Sequence, residues 1–302
     1  MGELEALAEF VNLYFLPGVA VGCIYALGAV GISLIFAILR FAHFAHGDVM
    51  TLGAYLAYSL VASLGWSVYL ALPVAVLGGA LASVAIDRVV YQPFRRSPGI
   101  IVVIASFGVM LVLRSLIQLF WGVDVLNYET GIRKPIPLIG DFRLAQKHII
   151  IILVSLAIAA ALHWFLSRSR MGKAMRAMSD DADLARISGI DTEKVVRWTW
   201  LIGGGLAAAA GVFAGINSKL HPSVGWDLLL PLFAAAILGG IGKPYGAIVG
   251  GLAIGIAQEV ATYPWISDLP LVPPAYKNAV AFFVMVCMLI WRPTGIFKGR
   301  VL

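Results

Sequence analysis

Long apolar runs constrain this chain more than any other feature. Runs of more than 20 residues recur, such as "GIIVVIASFGVMLVLRSLIQLFWG" at 99–122, and a helix needs about 20 residues to cross a bilayer core of about 30 Å. Only 13% of the residues are charged and 61% are hydrophobic, whereas a soluble domain carries about 25% charged residues. The chain is therefore predicted to be an integral membrane protein.

The apolar runs also predict the fold class. Ala, Leu, Val, Ile and Gly dominate them, which favours helices over a membrane β-barrel, whose strands alternate polar and apolar residues. We predict an all-α, polytopic bundle of about eight to nine spans, at 11–38, 50–65, 67–86, 99–121, 148–167, 198–216, 228–262 and 277–291. The start "MGELEALAEF" lacks the basic residues of a signal peptide, so the first span is expected to be retained.

The basic residues predict the orientation. Most of them fall at 88–96, in the loop 168–197, which holds seven Lys or Arg, and in the tail after 291. Cytoplasmic loops are enriched in Lys and Arg, so these three segments are expected in the cytoplasm and the N-terminus outside. The formal net charge of +6 then indicates membrane topology, and we expect lipid but no nucleic acid as a partner.

The run 228–262 does not fit one simple span. Its two flanking loops are both expected outside, yet its middle reads "LGGIGKPYG", which would break a helix. Two short half-helices that meet at this turn satisfy the topology best, and transporters place such broken helices beside a substrate path. The turn supplies five candidate path residues, Gly239, Gly240, Gly242, Pro244 and Gly246.

The two halves of the chain echo each other weakly. "GVAVGCIYALGAVG" corresponds to "LIGGGLAAAAGVFAG", and "FAHGDVMTLGAYLA" to "GGIGKPYGAIVGGLA". Small residues at four-residue spacing also occur wherever membrane helices pack closely. The pattern is therefore compatible with a structural repeat or with ordinary helix packing.

The stretch "RFAHFAHGD" concentrates polar residues in an apolar chain. His43 and His46 share a helix face and Asp48 could complete a metal site, as in an intramembrane metal-dependent enzyme. A convincing third ligand is missing elsewhere, and catalytic zinc normally has three protein ligands. We favour a tight re-entry turn in which Arg40 and the histidines reach the membrane interface, Gly47 and Asp48 begin the next helix, and backbone geometry matters more than ionisation.

Arg114 lies inside the fourth predicted span, toward its outer half. A charge within a span is costly and normally faces protein or water. The favoured interpretation is a structural arginine that binds carbonyl groups or extends outward. Attraction of a substrate carboxylate is the alternative.

The loop 168–197 is the one substantial polar segment. It is predicted to form a short helix, a break at Gly189, and a second helix capped by Asp191 or Thr192, whose side chains can accept the free amide protons. Such a helix at the membrane surface could dock a soluble partner, although a solvated linker would have the same composition.

Within this loop, "DLARISG" (183–189) resembles the Glu-Ala-Ala-x-x-x-Gly loop of bacterial ABC importer permeases. "FAHGDVMTLGAY", "GKAMRAMSDDADLARISGIDTEKV" with "GGGLAAAAGVFAG", and "FAAAILGGIGKPYGAIVGGLAIGIAQ" resemble one branch of them, the high-affinity branched-chain amino acid importer permeases. The likeness runs from about residue 17 to 295. The loop departs from the pattern, since Asp183 replaces Glu, Leu184 replaces Ala, and no Ile-x-Leu-Pro follows Gly189.

The resemblance implies a single permease domain, 1–302, with 168–197 as its coupling loop, in a bacterial inner membrane. Two such subunits would form the pore, with two cytoplasmic ATPases and a periplasmic binding protein. The implied coupling residues are Asp180, Asp181, Asp183, Ala185, Gly189 and Asp191. The candidate path residues near the first turn are Phe44, His46, Gly47, Asp48 and Arg114.

No covalent chemistry, metal or cofactor is expected of this chain. "GIGKPYG" lacks the first Gly of a P-loop and has Pro244 where Ser or Thr should hold magnesium. Import of urea or another small amide or carboxylate remains open, because related permeases with similar motifs carry them. A passive small-solute channel is the alternative of a different class, although it would have no use for a docking loop.

Overall fold

The computed structural model describes residues 3–95, 97–128, 136–137, 143–264 and 270–299. The helices in these ranges are α1 (Glu3–Phe10), α2 (Leu16–Leu39), α3 (His46–Leu64), α4 (Val68–Ile86), α5 (Gln92–Phe94), α6 (Gly99–Trp121), α7 (Gln146–Arg168), α8 (Arg170–Asp180), α9 (Ala182–Ile187), α10 (Thr192–Asn217), α11 (Val224–Gly239), α12 (Pro244–Val260) and α13 (Lys277–Trp291). Two short strands, β1 (Ile136–Pro137) and β2 (Arg143–Leu144), pair antiparallel.

The helical membrane fold is confirmed. Seven continuous helical segments of the described chain are long and apolar enough to cross a bilayer, and the shorter α11 and α12 occupy the run that the sequence predicted to be broken. Their break falls at 240–243, in the predicted Gly-Pro turn. Three spans begin earlier than predicted, at His46, Thr192 and Val224, because each starts inside the bundle or continues from a polar loop.

Close backbone contact holds the centre of the bundle together. The buried helix α2 packs against α12 and α10, and α10 also packs on α3 and α4. A Cβ added to Gly255 would overlap the backbone of Gly22, and one added to Gly251 would overlap Ala26. Small residues therefore set the spacing of α2 and α12, as in membrane bundles in general.

The echo between the halves has a structural counterpart. Each long small-residue helix, α2 or α10, is followed by a six-residue connection, 40–45 or 218–223, and then by a helix with glycine at its second position. These glycines, Gly47 and Gly225, pack against each other's backbone. The helix that corresponds to α3 is therefore α11, and the sequence alignment of "FAHGDV" with the start of α12 is wrong.

The two ends of the bundle differ. One end, here called the loop end, carries α8 and α9, and the Arg40 guanidinium donates there to the Ser179 carbonyl across 3.0 Å. At the opposite end, the backbones of Leu126 and Leu220 pair. Of the basic residues used for orientation, Arg96 and Arg300 lie outside the described residues, as do residues 129–135 and 138–142 of the loop between the predicted spans 99–121 and 148–167.

Candidate functional site

The first connection, 40–45, turns back into the bundle. Arg40 adopts a left-handed conformation with φ of 60° and ends α2. The His43 ring then lies 3.1 Å from the Tyr91 hydroxyl (Nε2 to Oη) and edge-on to Trp200. His46 packs against Gly31 of α2. The expectation that these histidines reach the membrane interface is wrong, since His43 and His46 are 1% and 0% exposed.

The reason lies in the depth at which α3 begins. Asp48 stands in the first turn of α3, yet it meets Arg114, which is 15 residues into α6 and so about 22 Å along that helix. Arg114 Nε and Nη2 each donate to one Asp48 carboxylate oxygen across 3.1 Å. The helix therefore starts inside the bundle, and ionisation as well as backbone geometry matters in this turn.

The same arginine reaches the start of α11. Its guanidinium carbon lies 5.3 Å from the centre of the Trp226 ring, within the range of a cation–π contact. We call Asp48, Arg114 and Trp226 the ion-pair layer. Neither carbonyl groups nor outward extension accounts for Arg114, because its partner in the described residues is a carboxylate from another helix.

Three phenylalanines lie next to this layer, toward the loop end. Phe44 stacks on Phe107 with ring centres 4.3 Å apart and approaches Phe233 at 5.3 Å. Phe107 precedes Arg114 by seven residues and Phe233 follows Trp226 by seven, a step of about 10 Å along each helix. We call these three rings the aromatic wall. The ion-pair layer and the aromatic wall are thus two levels built from the same elements.

Contacts next to the ion-pair layer hold the start of α3 against the start of α11. The Gly225 amide donates to Thr51 Oγ1 across 3.0 Å, and that hydroxyl donates to the Gly47 carbonyl across 3.2 Å. A side chain at either glycine would overlap the other's backbone. The N-terminal ends of two helices, each with the positive end of its dipole, are thereby held together inside the bundle.

The predicted path residues do not form one cluster. Asp48 and Arg114 pair directly and Phe44 lies at the neighbouring level, whereas His46 faces the packed interior beside Gly31. The turn between α11 and α12 lies apart, where the amides of Ile296 and Phe297 donate to the carbonyls of α11's last two residues. Its candidate path residues are Gly239, Gly240, Gly242, Pro244 and Gly246.

The loop 168–197 contains two short helices, α8 and α9, before α10 begins. The break at Gly189 is confirmed by its φ of 83°, a conformation that glycine adopts without strain. Asp181 caps α9 through the amides of Asp183 and Leu184, and Asp191 caps α10 through the amide of Lys194. The Lys194 amide and ammonium hold the pKa of Asp191 below its usual value. The sequence did not predict α8 as a separate helix.

The surface of α9 is apolar where a solvated linker would be polar. Ile187 is 81% exposed and Leu184 is 57% exposed, while Ala185 is buried against the bundle. Asp180 and Asp183 flank this patch. The patch of Leu184 and Ile187 is a surface that a soluble partner can bury.

An ion-pair network anchors the helix that follows α9. Arg95 Nη1 donates to both carboxylate oxygens of Glu193 across 2.6 Å, and Nη2 donates to Asp87 across 2.6 Å. Glu193 lies in the first turn of α10 and Asp87 in the π-helical turn after α4. The start of α10 is therefore tied to the end of α4.

Sequence reasoning missed several residues of this region. Phe107 and Phe233 stand in apolar runs, where an aromatic residue normally indicates packing, while Tyr91 and Trp226 stand in segments that were predicted as loops. A Trp-Asp pair directly after Gly225, in a chain with so few charges, was the one signal that could have marked the second helix start. Among the residues that the structure describes, no group of three or more His, Cys, Asp or Glu could hold a metal ion.

The comparison with known families identifies the scaffold. Residues 14–289 match the family described as "Branched-chain amino acid transport system / permease component". The chain belongs to this family. It is a multi-pass membrane permease of the ABC transporter class, and it therefore works in an assembly with other ABC components.

Two relatives cover nearly the whole chain. The permease protein BraD of the Pseudomonas aeruginosa high-affinity branched-chain amino acid transport system is 31% identical over 94% of both chains. The corresponding protein LivH of Escherichia coli K12 is 32% identical over 95% of this chain and 96% of LivH. The predicted family resemblance is confirmed.

Two solved structures share the fold. PsaBC from Streptococcus pneumoniae matches with a TM-score of 0.53, at 16% identity over 96% of both chains. A metal-chelate type ABC transporter in an inward-facing conformation matches with a TM-score of 0.52, at 15% identity over 96% of this chain and 91% of that one. At this identity the likeness concerns the fold alone.

Proposed function

We propose that this chain is the transmembrane permease subunit of an ATP-driven importer of branched-chain or related amino acids. The observation that carries the proposal is the family match across residues 14–289. Whole-length relatives named for the transport of these substrates support it. The chain itself performs no covalent chemistry in this proposal, and separate ATPase subunits hydrolyse ATP.

The proposal includes an assembly and an orientation. A second permease subunit completes the path, two ATPases bind at the loop end, and a periplasmic binding protein delivers the substrate at the opposite end. The loop 168–197 and the tail then lie in the cytoplasm of a bacterial inner membrane, with the N-terminus outside. The basic residues of α8, Arg170, Lys173 and Arg176, support this orientation, because cytoplasmic segments are rich in Lys and Arg.

We infer that 168–197 is the coupling segment of a single permease domain, 1–302. Leu184 and Ile187 of α9 would fill a cleft of the ATPase, with Ala185 supporting them from the bundle side. Gly189 would let the chain turn beneath the partner. The acidic residues Asp180, Asp181, Asp183 and Asp191 would cap the loop's helices and border the contact.

Movement of α9 would reach the path through α10. The link at Arg95 joins Glu193 in the first turn of α10 to Asp87, and Trp200 of α10 stacks on Tyr91 at 5.1 Å. Tyr91 contacts His43 in the first connection. A push on α9 when the ATPases close would thus shift the segment that holds Phe44 and the start of α3.

We place the translocation path along the ion-pair layer and the aromatic wall. The Arg114 side chain is 19% exposed although it lies within a span. A charge at that depth faces protein or water, not lipid, so this face borders the second subunit or a water-filled path. The Gly-Pro turn would form the path's edge at the loop end, with His46 and Gly47 as packing residues that hold the first turn.

The proposed function is tested by reconstitution. Proteoliposomes that contain both permease subunits, the ATPases and the binding protein should accumulate labelled leucine only with internal ATP. Unlabelled urea should not compete with leucine. Leucine flux without ATP, or ATP hydrolysis by this chain purified alone, would contradict the proposal.

The coupling surface is tested by replacing its apolar residues. Leu184→Ser together with Ile187→Ser should cut ATPase co-purification and uptake at least about tenfold, because two apolar contacts of about 1.5 kcal/mol each would be lost. Leu64→Ser, at the opposite end and 58% exposed, is the matched control and should change neither. Normal ATPase retention by the double variant would show that α9 is not the docking surface.

A further inference from the structure

The ion-pair layer contains a guanidinium that is only half used. Arg114 gives Nε and Nη2 to Asp48, which engages one edge of its planar fork. The other edge, which carries Nη1, lies outside this pair. Asp48 is closed off, with 1% of its side chain exposed, whereas Arg114 retains 19%. The accessible group of the pair is therefore the cation.

We propose that the free edge of Arg114 binds the carboxylate of the substrate during passage, and that Asp48 positions the arginine for this. The proposal rests on the proposed function, since it assigns the recognition step within the same path. Its ligand class is a small aliphatic monocarboxylate or amino acid. Asp48 acts through Arg114 and does not itself contact the ligand.

The local electrostatics favour an anion at this place. Asp48 neutralises the charge of Arg114, which allows the pair to exist inside a span. The two helices that begin here, α3 and α11, add the positive ends of their dipoles, and their starts are locked together at Gly47 and Gly225. A carboxylate that arrives on the open edge therefore meets two helix dipoles beside the N–H groups of Arg114 that Asp48 leaves unused.

The surroundings fit the remainder of an aliphatic amino acid. Long side chains on a helix point back toward its N-terminus, so the Arg114 side chain leans from α6 toward Phe107. Trp226, which is 36% exposed, borders the guanidinium. An amino acid whose carboxylate binds Arg114 would therefore direct its own aliphatic side chain at the aromatic wall of Phe44, Phe107 and Phe233.

A second ion pair in the bundle shows what sets Arg114 apart. The Arg95–Asp87 pair has a similar asymmetry, with 21% and 4% of the side chains exposed, but Arg95 uses Nη1 for Glu193 and Nη2 for Asp87. Arg114 gives Nε and Nη2 to the single carboxylate of Asp48. The end of its guanidinium that carries Nη1 therefore stays accessible for a planar, bidentate anion.

Direct binding separates the two roles. The purified transporter complex, without its binding protein, should show a saturable rise of melting temperature with L-leucine and with isovalerate, which keeps the carboxylate and the aliphatic chain. Isopentylamine, which lacks the carboxylate, should give no rise. Arg114→Lys and the pair Asp48→Asn with Arg114→Gln should abolish the shift, since neither retains the fork.

A matched pair of substitutions controls for the loss of an ion pair as such. Lys277 Nζ lies 2.7 Å from Glu259 Oε1 and joins α13 to α12. The variant Glu259→Gln with Lys277→Met should keep the melting shift with leucine. Equal shifts in this control, in Arg114→Lys and in the parent would overturn the proposal and leave Arg114 a structural residue.

Transport gives the second readout. Loss of a bidentate, charge-assisted contact corresponds to about tenfold or more, so Arg114→Lys should reduce leucine uptake at least about tenfold while ATPase stimulation by the loaded binding protein persists. Undiminished uptake in this variant would overturn the inference alone. Absence of uptake by the parent complex would contradict the proposed function, and the melting shifts would still decide the binding site.

Discussion

The two helix–connection–helix units of this protein, α2–α3 and α10–α11, share a backbone design and differ in chemistry. In both, a long small-residue helix ends, six residues turn back into the bundle, and a helix begins with glycine second. An aspartate follows in each first turn, Asp48 in α3 and Asp227 in α11. The glycines Gly47 and Gly225 meet at the centre.

The aspartates have opposite environments. Asp48 is buried and bound by Arg114, whereas the side chain of Asp227 is 53% exposed and has His221 at 3.6 Å. The difference comes from α6, which lies against α3 and brings Arg114 to the first aspartate while presenting its face to Trp226. A repeated backbone thus places two similar residues, and a third helix decides which of them becomes part of the ion-pair layer.

The largest expected loss of stability follows from disrupting the glycine contact that the two units share. Gly225→Ala would place a methyl group onto the Gly47 carbonyl and force the two helix starts apart, at a cost of about 3 kcal/mol or more. Unfolding in mixed detergent micelles, followed by circular dichroism, would measure the loss.

Gly108→Ala on α6 is the control for this substitution. Among the described residues, no atom outside the backbone of its own helix lies within 4 Å of the added Cβ, so alanine should be neutral or stabilising by up to about 1 kcal/mol, owing to its higher helix propensity. Equal stability of the two variants would show that the two helix starts can separate freely. The contact between Gly47 and Gly225 would then not be what holds the two units together.

A smaller effect should separate the two aspartates. Asp48→Asn should lower the free energy of unfolding by about 2–3 kcal/mol, somewhat less than for a fully buried pair, because Arg114 can still reach solvent. Asp227→Asn should cost less than about 1 kcal/mol, as for exposed pairs. The same micelle unfolding measures both.

Combining Asp48→Asn with Arg114→Gln sharpens this result. The double variant removes both charges of this pair and should recover most of the lost stability. A double variant as unstable as Asp48→Asn alone would mean that the cost comes from packing at α3 and not from the ion pair.

The smallest expected losses of stability come from two His–Tyr contacts, one in each half of the chain. Tyr91→Phe removes the partner of His43 in a site where Tyr91 is 2% exposed, and a buried group left unpaired costs about 1–2 kcal/mol. Tyr245→Phe removes the contact with His163 at 3.0 Å, but Tyr245 is 46% exposed and water can replace it. Its expected cost is below about 0.5 kcal/mol, and comparable losses in both would contradict the role of burial.

Much of the molecule followed from the sequence by itself. Apolar length determined that the chain spans a membrane as helices, and the Gly-Pro stretch at 239–246 determined where the seventh predicted span breaks. Asp191 and Gly189 marked the turn in the loop 168–197, because a cap and a positive φ depend on residues adjacent in the chain. Such features rest on local backbone rules and on the hydrophobic effect, which composition and spacing record directly.

Only the tertiary structure decided what the polar residues do. His43 and His46 looked interfacial because sequence places them at the end of a span, and the fold buries them by turning 40–45 back between other helices. Asp48 and Arg114 are 66 residues apart, and the sequence around either residue does not indicate the other as its partner. An ion pair in a membrane depends on which helices lie side by side and at what depth, and that is set by glycine contacts such as Gly47 with Gly225, far apart in sequence.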